Sequence, residues 1–377
     1  MTKYLFFRTD RIGDFIFSRM LVRSIKDKNK RNIVDFVCSK YNSDYIKNFS
    51  DVNKIFILDK YDLPLLLKNK RLINTQKYDY LVILDGKRRS LFFSIFLKSK
   101  FKIAILKDFR PSLILKFFFD KYFINSEVNS QFINFLTVAN FLNIKISKKI
   151  NYYDNYKLIN KKINYVKTKS TLLHLDEKWF KGFYHNDYKY MNLDYKNFDN
   201  LIRVIFKKFN NNIILTSGKI NIKDFNLIIE KNFYLKEKNI YFSNKYKDKL
   251  IFINKTSFRD LEMIVKNSSL IICCEGAISH VSHAFGIKTI ALVNYTGIET
   301  GFFWTKHMPK INLPLLRTSI KASSKFLSLI NRIASSNAPT PGKINASAFN
   351  MSSRFELISA LTPTVSHACF TLKRLPN

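Results

Sequence analysis

The sequence predicts an α/β protein made of two doubly wound halves. Short apolar runs of the kind found in buried parallel strands alternate with segments whose apolar residues recur at helical spacing. The alternation stops in the polar stretch 151–168 and then starts again. Strands that alternate with helices are typical of βαβ units, so each half is expected to hold one parallel sheet.

The first half is expected to contain four strands with helical patterns between them. The strands are Tyr4–Phe7, Ile33–Cys38, Ile55–Leu58 and Leu81–Leu84, the last of which runs into Asp85-Gly86. A helix should follow the first strand, because apolar residues repeat on one helical face between Phe15 and Ile25.

The second half repeats this pattern. Its predicted strands are Thr171–Leu175, Ile213–Thr216, Leu250–Ile253, Leu270–Cys274 and Thr289–Val293. Its predicted helices are Phe198–Phe209, Phe258–Val265 and His280–Phe285, and Gly286 ends the last one. The predicted domains are therefore residues 1–160 and 161–335, followed by an atypical tail, residues 336–377, which is expected to be disordered.

The chain is strongly basic, with 64 Lys and Arg against 28 Asp and Glu. Such a charge attracts polyanions such as nucleic acid, anionic lipid or phosphorylated glycan. An AT-rich genome would produce the same excess, since Lys, Asn, Ile and Phe are enriched together. The charge is spread along the chain and no recognised reader module is present, so nucleic acid is the less favoured partner.

Neither an export signal nor a membrane span is expected, so the expected location is cytoplasmic. Arg8, Asp10 and Arg11 interrupt the first apolar run. No uncharged apolar stretch reaches about 18 residues. The four cysteines lack metal-binding spacing, and Cys273 and Cys274 are expected to be reduced thiols in a buried strand.

The segment from Arg8 to Asp14 follows the first strand and is the first candidate for chemistry. It is a strand-to-helix turn at the edge where ligands lie in open α/β folds. Gly13 permits another backbone or a substrate to come close. Asp14 stands at the start of the helix, either as an accessible carboxylate or as a cap of the helix.

The segment from Ile271 to His280 is the second candidate, because a buried strand again runs into the start of a helix. Free backbone N–H groups and the helix dipole make such a start a phosphate site. Gly276 and Ala277 leave room for a diphosphate, and His280 can donate a hydrogen bond to it. A packed turn with an internally satisfied His is the alternative.

The segment from His174 to Trp179 is the third candidate, since it follows the first strand of the second half. Lys178 would face the same crevice and could neutralise a phosphate. The alternative is a solvated charge run anchored by Trp179.

Together these segments resemble glycosyltransferase family 9, the ADP-heptose:lipopolysaccharide heptosyltransferase family. That family opens with a strand, a basic turn and a Gly-Asp pair, as Arg11-Ile12-Gly13-Asp14 does here. Its second half carries Asp-Thr-Gly-x-x-His, five mostly small or apolar residues and a Gly. Residues 275–286 keep that spacing, and Thr256 to Leu261 also resembles the family's helix entry.

The resemblance implies a GT-B fold, in which two Rossmann-like doubly wound domains face a central cleft. It also implies an inverting transfer without a catalytic metal or cofactor. Asp14 would be the general base, with Arg11 and Gly13 on the acceptor side. The donor would be held by residues of the second half: Lys178, Glu275, Gly276, Ala277, Ser279 and His280.

The implied donor is a nucleotide-diphosphate sugar, with ADP-heptose as the leading candidate. The implied acceptor is a phosphorylated glycolipid of the lipopolysaccharide type or another envelope glycan. The family's Asp, Thr and Gly are Glu275, Gly276 and Ala277 here, and these changes bear on which donor is used. A non-catalytic relative that binds nucleotide as a scaffold for envelope assembly is the alternative.

Residues 88–124 interleave bulky apolar groups with cations. Basic groups are attracted to an anionic leaflet, and exposed aromatics can enter the headgroup boundary. The segment therefore predicts a peripheral contact with the anionic inner face of the cytoplasmic membrane. In the alternative, Phe92, Phe93 and Phe96 pack inward against the sheet.

Overall fold

Two mostly parallel sheets organise the chain. The computed structural model describes residues 1–59, 61–106, 117–124, 131–146, 156, 169–180, 193–218, 220–292 and 311–312. All of these fall within one compact unit, Met1–Ala334. The predicted tail, residues 336–377, lies outside the described residues, as does most of the stretch 151–168, and the division into domains stays a prediction.

The first sheet has six parallel strands. They are β1 (Lys3–Arg8), β2 (Ile33–Cys38), β3 (Ile55–Ile57), β4 (Tyr78–Ile83), β5 (Ser99–Leu106) and β6 (Lys121–Ile124). The helices are α1 (Ile12–Lys28), α2 (Lys40–Ile46), α3 (Leu63–Thr75), α4 (Arg88–Ile95) and α5 (Gln131–Phe141). The strand order is β3-β2-β1-β4-β5-β6.

The second sheet has eight strands. They are β7 (Ser170–Leu175), β8 (Ile213–Ser217), β9 (Phe233–Glu237), β10 (Ile240–Ser243), β11 (Lys247–Ile253), β12 (Ser268–Cys274), β13 (Lys288–Leu292) and β14 (Ile311–Asn312). The helices are α6 (Tyr195–Phe209), α7 (Lys223–Asn232), α8 (Phe258–Asn267) and α9 (Ala277–Ala284). The order is β14-β13-β12-β7-β8-β11-β10-β9, with β10 antiparallel to both of its neighbours.

Both sheets share one topology. The first strand of each half lies inside its sheet, with β2 and β4 beside β1, and β8 and β12 beside β7. Chain direction across the sheet reverses at these strands, and ligands of doubly wound folds lie outside the carboxyl ends of the strands at this point. The predicted α/β fold with two Rossmann-like sheets is confirmed. Its switch points lie between β1 and β4 and between β7 and β12, beside the β1–α1 and β12–α9 turns.

The structure also contains strands that the sequence pattern did not predict. The hairpin β9–β10 lies at the sheet edge, and four of the five residues of β9 are exposed. The first three residues of β5 are largely exposed and include Lys100, so its apolar run begins late. An edge hairpin such as β9–β10 needs little apolar surface and so leaves no continuous apolar run, whereas the inner strand β5 is hidden by its polar, exposed beginning.

The cysteine and membrane expectations can be compared with the described residues. Cys38, Cys273 and Cys274 are buried free thiols, as predicted for the last two. Among the described helices, none has the length and apolar character needed to cross a bilayer.

The largest apolar cluster joins the two halves. It includes Phe15 and Phe49 from the first half together with Ile278 and Val281 of α9. A separate cluster, which includes Leu5 and the neighbouring strands, lies on the opposite face of the first sheet under α3 and α4. The halves are therefore packed together through α1 and α2 rather than through α3 and α4.

A buried carboxylate adds a polar link to this packing. Glu262 of α8 is fully buried. Its Oε1 accepts a hydrogen bond from the hydroxyl of Tyr45 on α2 at 2.6 Å, and its Oε2 accepts one from Tyr156 at 2.5 Å. These bonds offset the loss of hydration of the carboxylate, so the link depends on both hydroxyls.

Replacing Tyr45 by Phe should lower the free energy of unfolding by about 1.5–3 kcal/mol, because a buried charged acceptor loses a donor. Urea unfolding measures the change. The matched control is Tyr246→Phe, which removes a hydroxyl that donates to the partly exposed Asp199 at 3.1 Å. Equal losses of unfolding free energy in both variants would mean that the Tyr45–Glu262 hydrogen bond stabilises the protein no more than a partly exposed one.

Candidate active site

The starts of α1 and α9 meet at one point, and Gly13 makes this possible. A Cβ built on Gly13 would lie 3.1 Å from Ala277 Cα and 3.1 Å from His280 Cδ2. These distances are shorter than ordinary van der Waals contact, so the absence of a side chain at position 13 lets the helices approach. Two turns far apart in sequence, β1–α1 and β12–α9, are thereby brought together.

Asp14 lies in the first turn of α1, beside this contact. Its Oδ2 accepts a hydrogen bond from the backbone N–H of Arg11 at 3.1 Å, so it caps the helix. Its Oδ1 lies 3.8 Å from Arg8 Nη2, and 19% of the side chain is exposed. Asp14 is therefore a cap whose second oxygen faces Arg8 and whose side chain keeps some exposure to solvent.

Arg8, at the end of β1, stabilises the β1–α1 turn through its buried side chain. Its side chain is 1% exposed. Its Nε donates to the carbonyl of Asp14 at 3.0 Å and its Nη1 donates to the carbonyl of Leu84 at 2.9 Å. Since both partners are main-chain atoms of neighbouring turns, the buried guanidinium fixes the start of α1 against the end of β4.

Asp10 completes this charged group. Its Oδ2 lies 3.3 Å from Arg8 Nη1. Burial, reinforced by the carboxylates of Asp14 and Asp85 and opposed by Arg8, raises the pKa of Asp10 to about 7. The carboxyl therefore holds a proton at a pH where an exposed Asp is fully ionised.

Lys178 and Glu275 come together on the second half. Lys178 lies in the 3₁₀ turn Glu177–Trp179, and its Nζ donates to the carbonyl of Glu275 and lies 4.0 Å from Glu275 Oε2. Burial raises the pKa of Glu275, the ammonium of Lys178 opposes the change, and the carboxylate of Asp14 adds to it. The influence of Asp14 shows that both halves contribute to the same electrostatic environment.

The turn that starts α9 is closed by its own hydrogen bonds. The hydroxyl of Ser279 donates to the carbonyl of Gly276 at 2.6 Å, and Ser279 is fully buried. A Cβ on Gly276 would lie 3.4 Å from Lys178 Nζ, so the ammonium stands directly over the turn. Ser279 thus shapes the turn from within, while Gly276 and Ala277 form its surface.

His280 lies one turn into α9 and is buried. Its ring centroid is 6.0 Å from that of Phe17. Burial lowers the pKa of His280 to about 4, although the Asp14 carboxylate opposes the change. The imidazole is neutral at neutral pH, so it can act on an anion as a hydrogen-bond donor rather than as a cation.

The predicted site residues of the two halves are thus neighbours. Arg11, Gly13 and Asp14 stand at the start of α1, and Lys178 and residues 275–280 stand at the start of α9. Within the described residues, no group of three or more His, Cys, Asp or Glu side chains could hold a metal ion.

Sequence reasoning missed three residues that hold this site. Arg8 and Asp10 belong to the first candidate segment but have no predicted role, although an Arg directly after an apolar run can be a signal of buried ionic contacts. Asp85 Oδ2 accepts hydrogen bonds from Thr9 N at 3.0 Å and Thr9 Oγ1 at 2.6 Å. Its signal was its place at the end of a predicted strand next to β1.

Replacing Gly13 by Val should separate the helix starts and lower the free energy of unfolding by about 1–3 kcal/mol, the usual effect of overpacking. Thermal or urea unfolding measures it. The control is Gly218→Ala, because a Cβ at that position meets nothing within 4 Å. A Gly13→Val variant as stable as the control would show that α1 and α9 can move apart without loss of stability.

Asp10 should make stability depend on pH in a defined direction. Its pKa rises from 3.8 to about 7 on folding, so its contribution is full below about pH 4 and is lost as the pH rises towards 7. Compared with Asp10→Asn, the wild type should therefore lose stability between about pH 5 and about pH 8. Urea unfolding at both pH values tests this, with the exposed Asp44→Asn as control; parallel pH curves for wild type and Asp10→Asn would contradict it.

No family model matches the chain. Among curated proteins, DNA-directed RNA polymerase subunit beta′ of Oedogonium cardiacum is 25% identical to it over 272 residues. The alignment takes in 69% of this chain and 12% of the polymerase subunit. A match of this identity to so small a part of a long subunit shows no family.

Solved structures show the fold. The E. coli heptosyltransferase WaaC with ADP-2-deoxy-2-fluoro heptose is 10% identical at a TM-score of 0.62, over 89% of this chain and 100% of that chain. A glycosyl transferase family 9 structure from Veillonella parvula is 12% identical at 0.60, over 87% and 90%. The UDP-GlcNAc 2-epimerase from Methanocaldococcus jannaschii is 14% identical at 0.50, over 89% and 92%. The chain therefore has the fold of the heptosyltransferases that its sequence motifs resemble.

Proposed function

We propose that this protein is a glycosyltransferase related to family 9, which moves a sugar from a nucleotide-diphosphate donor to an envelope glycan. The observation that carries the proposal is the contact between the Gly13-Asp14 turn and the first turn of α9. It brings the partly exposed carboxylate of Asp14 next to the N-terminus of α9, where backbone N–H groups can bind a phosphate. The heptosyltransferase structures have the same fold, which is compatible with this proposal.

Asp14 acts as the general base in this proposal. One oxygen is held by the N–H of Arg11 and the other faces Arg8, so the carboxylate is oriented before substrate arrives. An acceptor hydroxyl within hydrogen-bond reach would give its proton to this carboxylate as it attacks the anomeric carbon of the donor. Attack from the face opposite the leaving group inverts that carbon. Arg11 and Gly13 border the acceptor side.

The donor diphosphate lies at the start of α9. Backbone N–H groups and the helix dipole favour an anion there, and Lys178 supplies the positive charge. The neutral imidazole of His280 donates a hydrogen bond. These groups stabilise the departing nucleotide diphosphate and need no metal ion.

The donor sugar remains to be assigned, with heptose as the leading candidate. The WaaC structures contain ADP or ADP-2-deoxy-2-fluoro heptose, which supports a nucleotide sugar as the class of donor. Glu275-Gly276-Ala277 replaces the family's Asp-Thr-Gly, so the hydroxyl of the Thr is absent here. We propose a phosphorylated glycolipid of the lipopolysaccharide type as acceptor, domains that divide near residue 160, and a cytoplasmic location.

Asp14→Asn tests the proposal. Asn keeps an oxygen that can accept from the N–H of Arg11 but is not a base, so the fold should be retained while turnover falls by about 10²–10⁴-fold. The donor is first identified by thermal shift with a panel of nucleotide sugars, since a bound ligand stabilises the folded state. Release of the nucleotide diphosphate then measures turnover, and calorimetry should give unchanged donor affinity in Asp14→Asn.

His280→Ala tests the donor side, where donor affinity rather than the proton transfer should be affected. It should weaken donor binding, while the exposed Asp44→Asn should alter neither donor binding nor turnover. Activity should also survive EDTA. Full turnover in Asp14→Asn would reduce Asp14 to a helix cap, and donor binding without turnover in the wild type would favour the scaffold alternative.

A further inference from the structure

One side of α4 carries exposed aromatic side chains. Phe92 is 64% exposed and Phe96 is 45% exposed, and their rings contact each other with centroids 5.2 Å apart. Arg88 stands one turn earlier on the same side, at the spacing i, i+4 and i+8. Phe93, by contrast, packs inward against Phe7, with centroids 6.4 Å apart. The structure thus separates the aromatic residues of this helix into an inner and an outer set.

The outer surface of α3 continues this face. Leu63 and Leu67 are 63% and 50% exposed, and helical spacing puts them on the side of α3 that carries Lys70 and Asn74. The two helices are joined where Asn74 Nδ2 donates to the carbonyl of Phe96 at 3.2 Å. We call the joined surface the α3–α4 face; it consists of Leu63, Leu67, Phe92 and Phe96 with the cations Lys70, Arg71, Arg88 and Lys98.

The charge of this face is positive. Lys70 Nζ lies 5.1 Å from the centre of the Phe96 ring, and Arg71, Arg88 and Lys98 are exposed. Nearby carboxylates are engaged: Asp79 pairs with Lys100, Asp85 is buried, and Asp62, which directly precedes Leu63, accepts a hydrogen bond from the N–H of Leu65 as the cap of α3. A second copy of this face would repel the first, so the charges favour an anionic surface over self-association.

The same helix reaches the candidate active site. At the start of α4, Lys87 Nζ and Arg89 Nη2 each donate to the carbonyl of Thr9 at 3.2 Å. Thr9 precedes Asp10 in the turn that carries Asp14. Since α4 has eight residues, it is about 12 Å long, and the aromatic pair lies within about one helix length of this turn.

We propose that the α3–α4 face docks on an anionic bilayer and thereby brings lipid-anchored acceptors to the turn that carries Asp14. Aromatic and Leu side chains enter the headgroup boundary, and the surrounding cations contact anionic headgroups. The benefit for catalysis rests on the proposed function, whereas the docking itself does not.

Vesicle flotation of the full chain tests the docking. Wild type should float with phosphatidylglycerol vesicles at low salt, remain unbound with phosphatidylcholine vesicles, and be released at high salt. The aromatic variant Phe92→Ser/Phe96→Ser should weaken binding by at least about tenfold. The charge variant Arg71→Glu/Arg88→Glu/Lys98→Glu should weaken it by at least about 100-fold, since each basic group contributes roughly fivefold.

The hairpin β9–β10 offers matched controls. Tyr234 and Leu235 are 47% and 61% exposed, with Lys236 and Lys238 beside them. Tyr234→Ser/Leu235→Ser and Lys236→Glu/Lys238→Glu should keep wild-type flotation. An equal loss in the aromatic control, or the same loss per reversed charge in the charge control, would overturn the docking face and leave only general basicity. No binding of wild type to phosphatidylglycerol, or a dimer that the aromatic variant dissociates, would also overturn it.

Nucleotide affinity separates this proposal from the proposed function. The flotation variants should bind the donor nucleotide as tightly as wild type, because the α3–α4 face does not include α9 or Lys178. Normal flotation without any nucleotide binding would refute the transferase and leave the docking intact. Normal nucleotide binding without flotation would refute the docking alone.

Discussion

The contact between the starts of α1 and α9 is the constraint on which the site depends. It needs a residue without a side chain at position 13, since a Cβ there would lie 3.1 Å from Ala277 Cα and from His280 Cδ2. Through this contact the carboxylate of Asp14 influences the pKa of both Glu275 and His280, although they belong to the other sheet. Neither half contains the whole arrangement.

The first half stabilises this contact with a buried charge. Arg8 binds the carbonyls of Asp14 and Leu84, so one guanidinium joins the end of β1, the start of α1 and the end of β4. A buried cation is costly unless its partners are fixed, and here they include two main-chain oxygens and a carboxyl oxygen of Asp10. The pKa of Asp10 lies at about 7 because burial and the carboxylates of Asp14 and Asp85 outweigh the cations Arg8 and Lys87.

The two faces of the first sheet are packed differently: one contacts the second half of the chain, and the other is covered by helices of the first half. The face covered by α1 and α2 packs against the second half, where Tyr45 donates to the buried Glu262. The face covered by α3 and α4 has its own apolar cluster and turns exposed Phe92 and Phe96 outward. Because α4 also binds Thr9 through its first turn, the outer surface and the site are linked through one short helix.

The sequence by itself determined the α/β class, the strands that precede both candidate turns, and the residue types at those turns. Buried parallel strands require continuous apolar runs, and Ile271 to Cys274 is such a run. The sequence also placed Gly13-Asp14 and Gly276 at helix starts, since glycine and acidic residues are favoured there by local backbone chemistry. Edge strands such as β9 left no comparable pattern, because their side chains remain in water.

Only the tertiary structure decided which of these local features act together. The sequence left Asp14 as either a cap or an accessible carboxylate, and the fold makes it both: one oxygen accepts from the Arg11 N–H, and 19% of the side chain is exposed. It left Phe92, Phe93 and Phe96 undivided, and packing against Phe7 turned only Phe93 inward. Helical spacing specifies which residues share a side, but which side meets the sheet depends on contacts with residues far away in the chain.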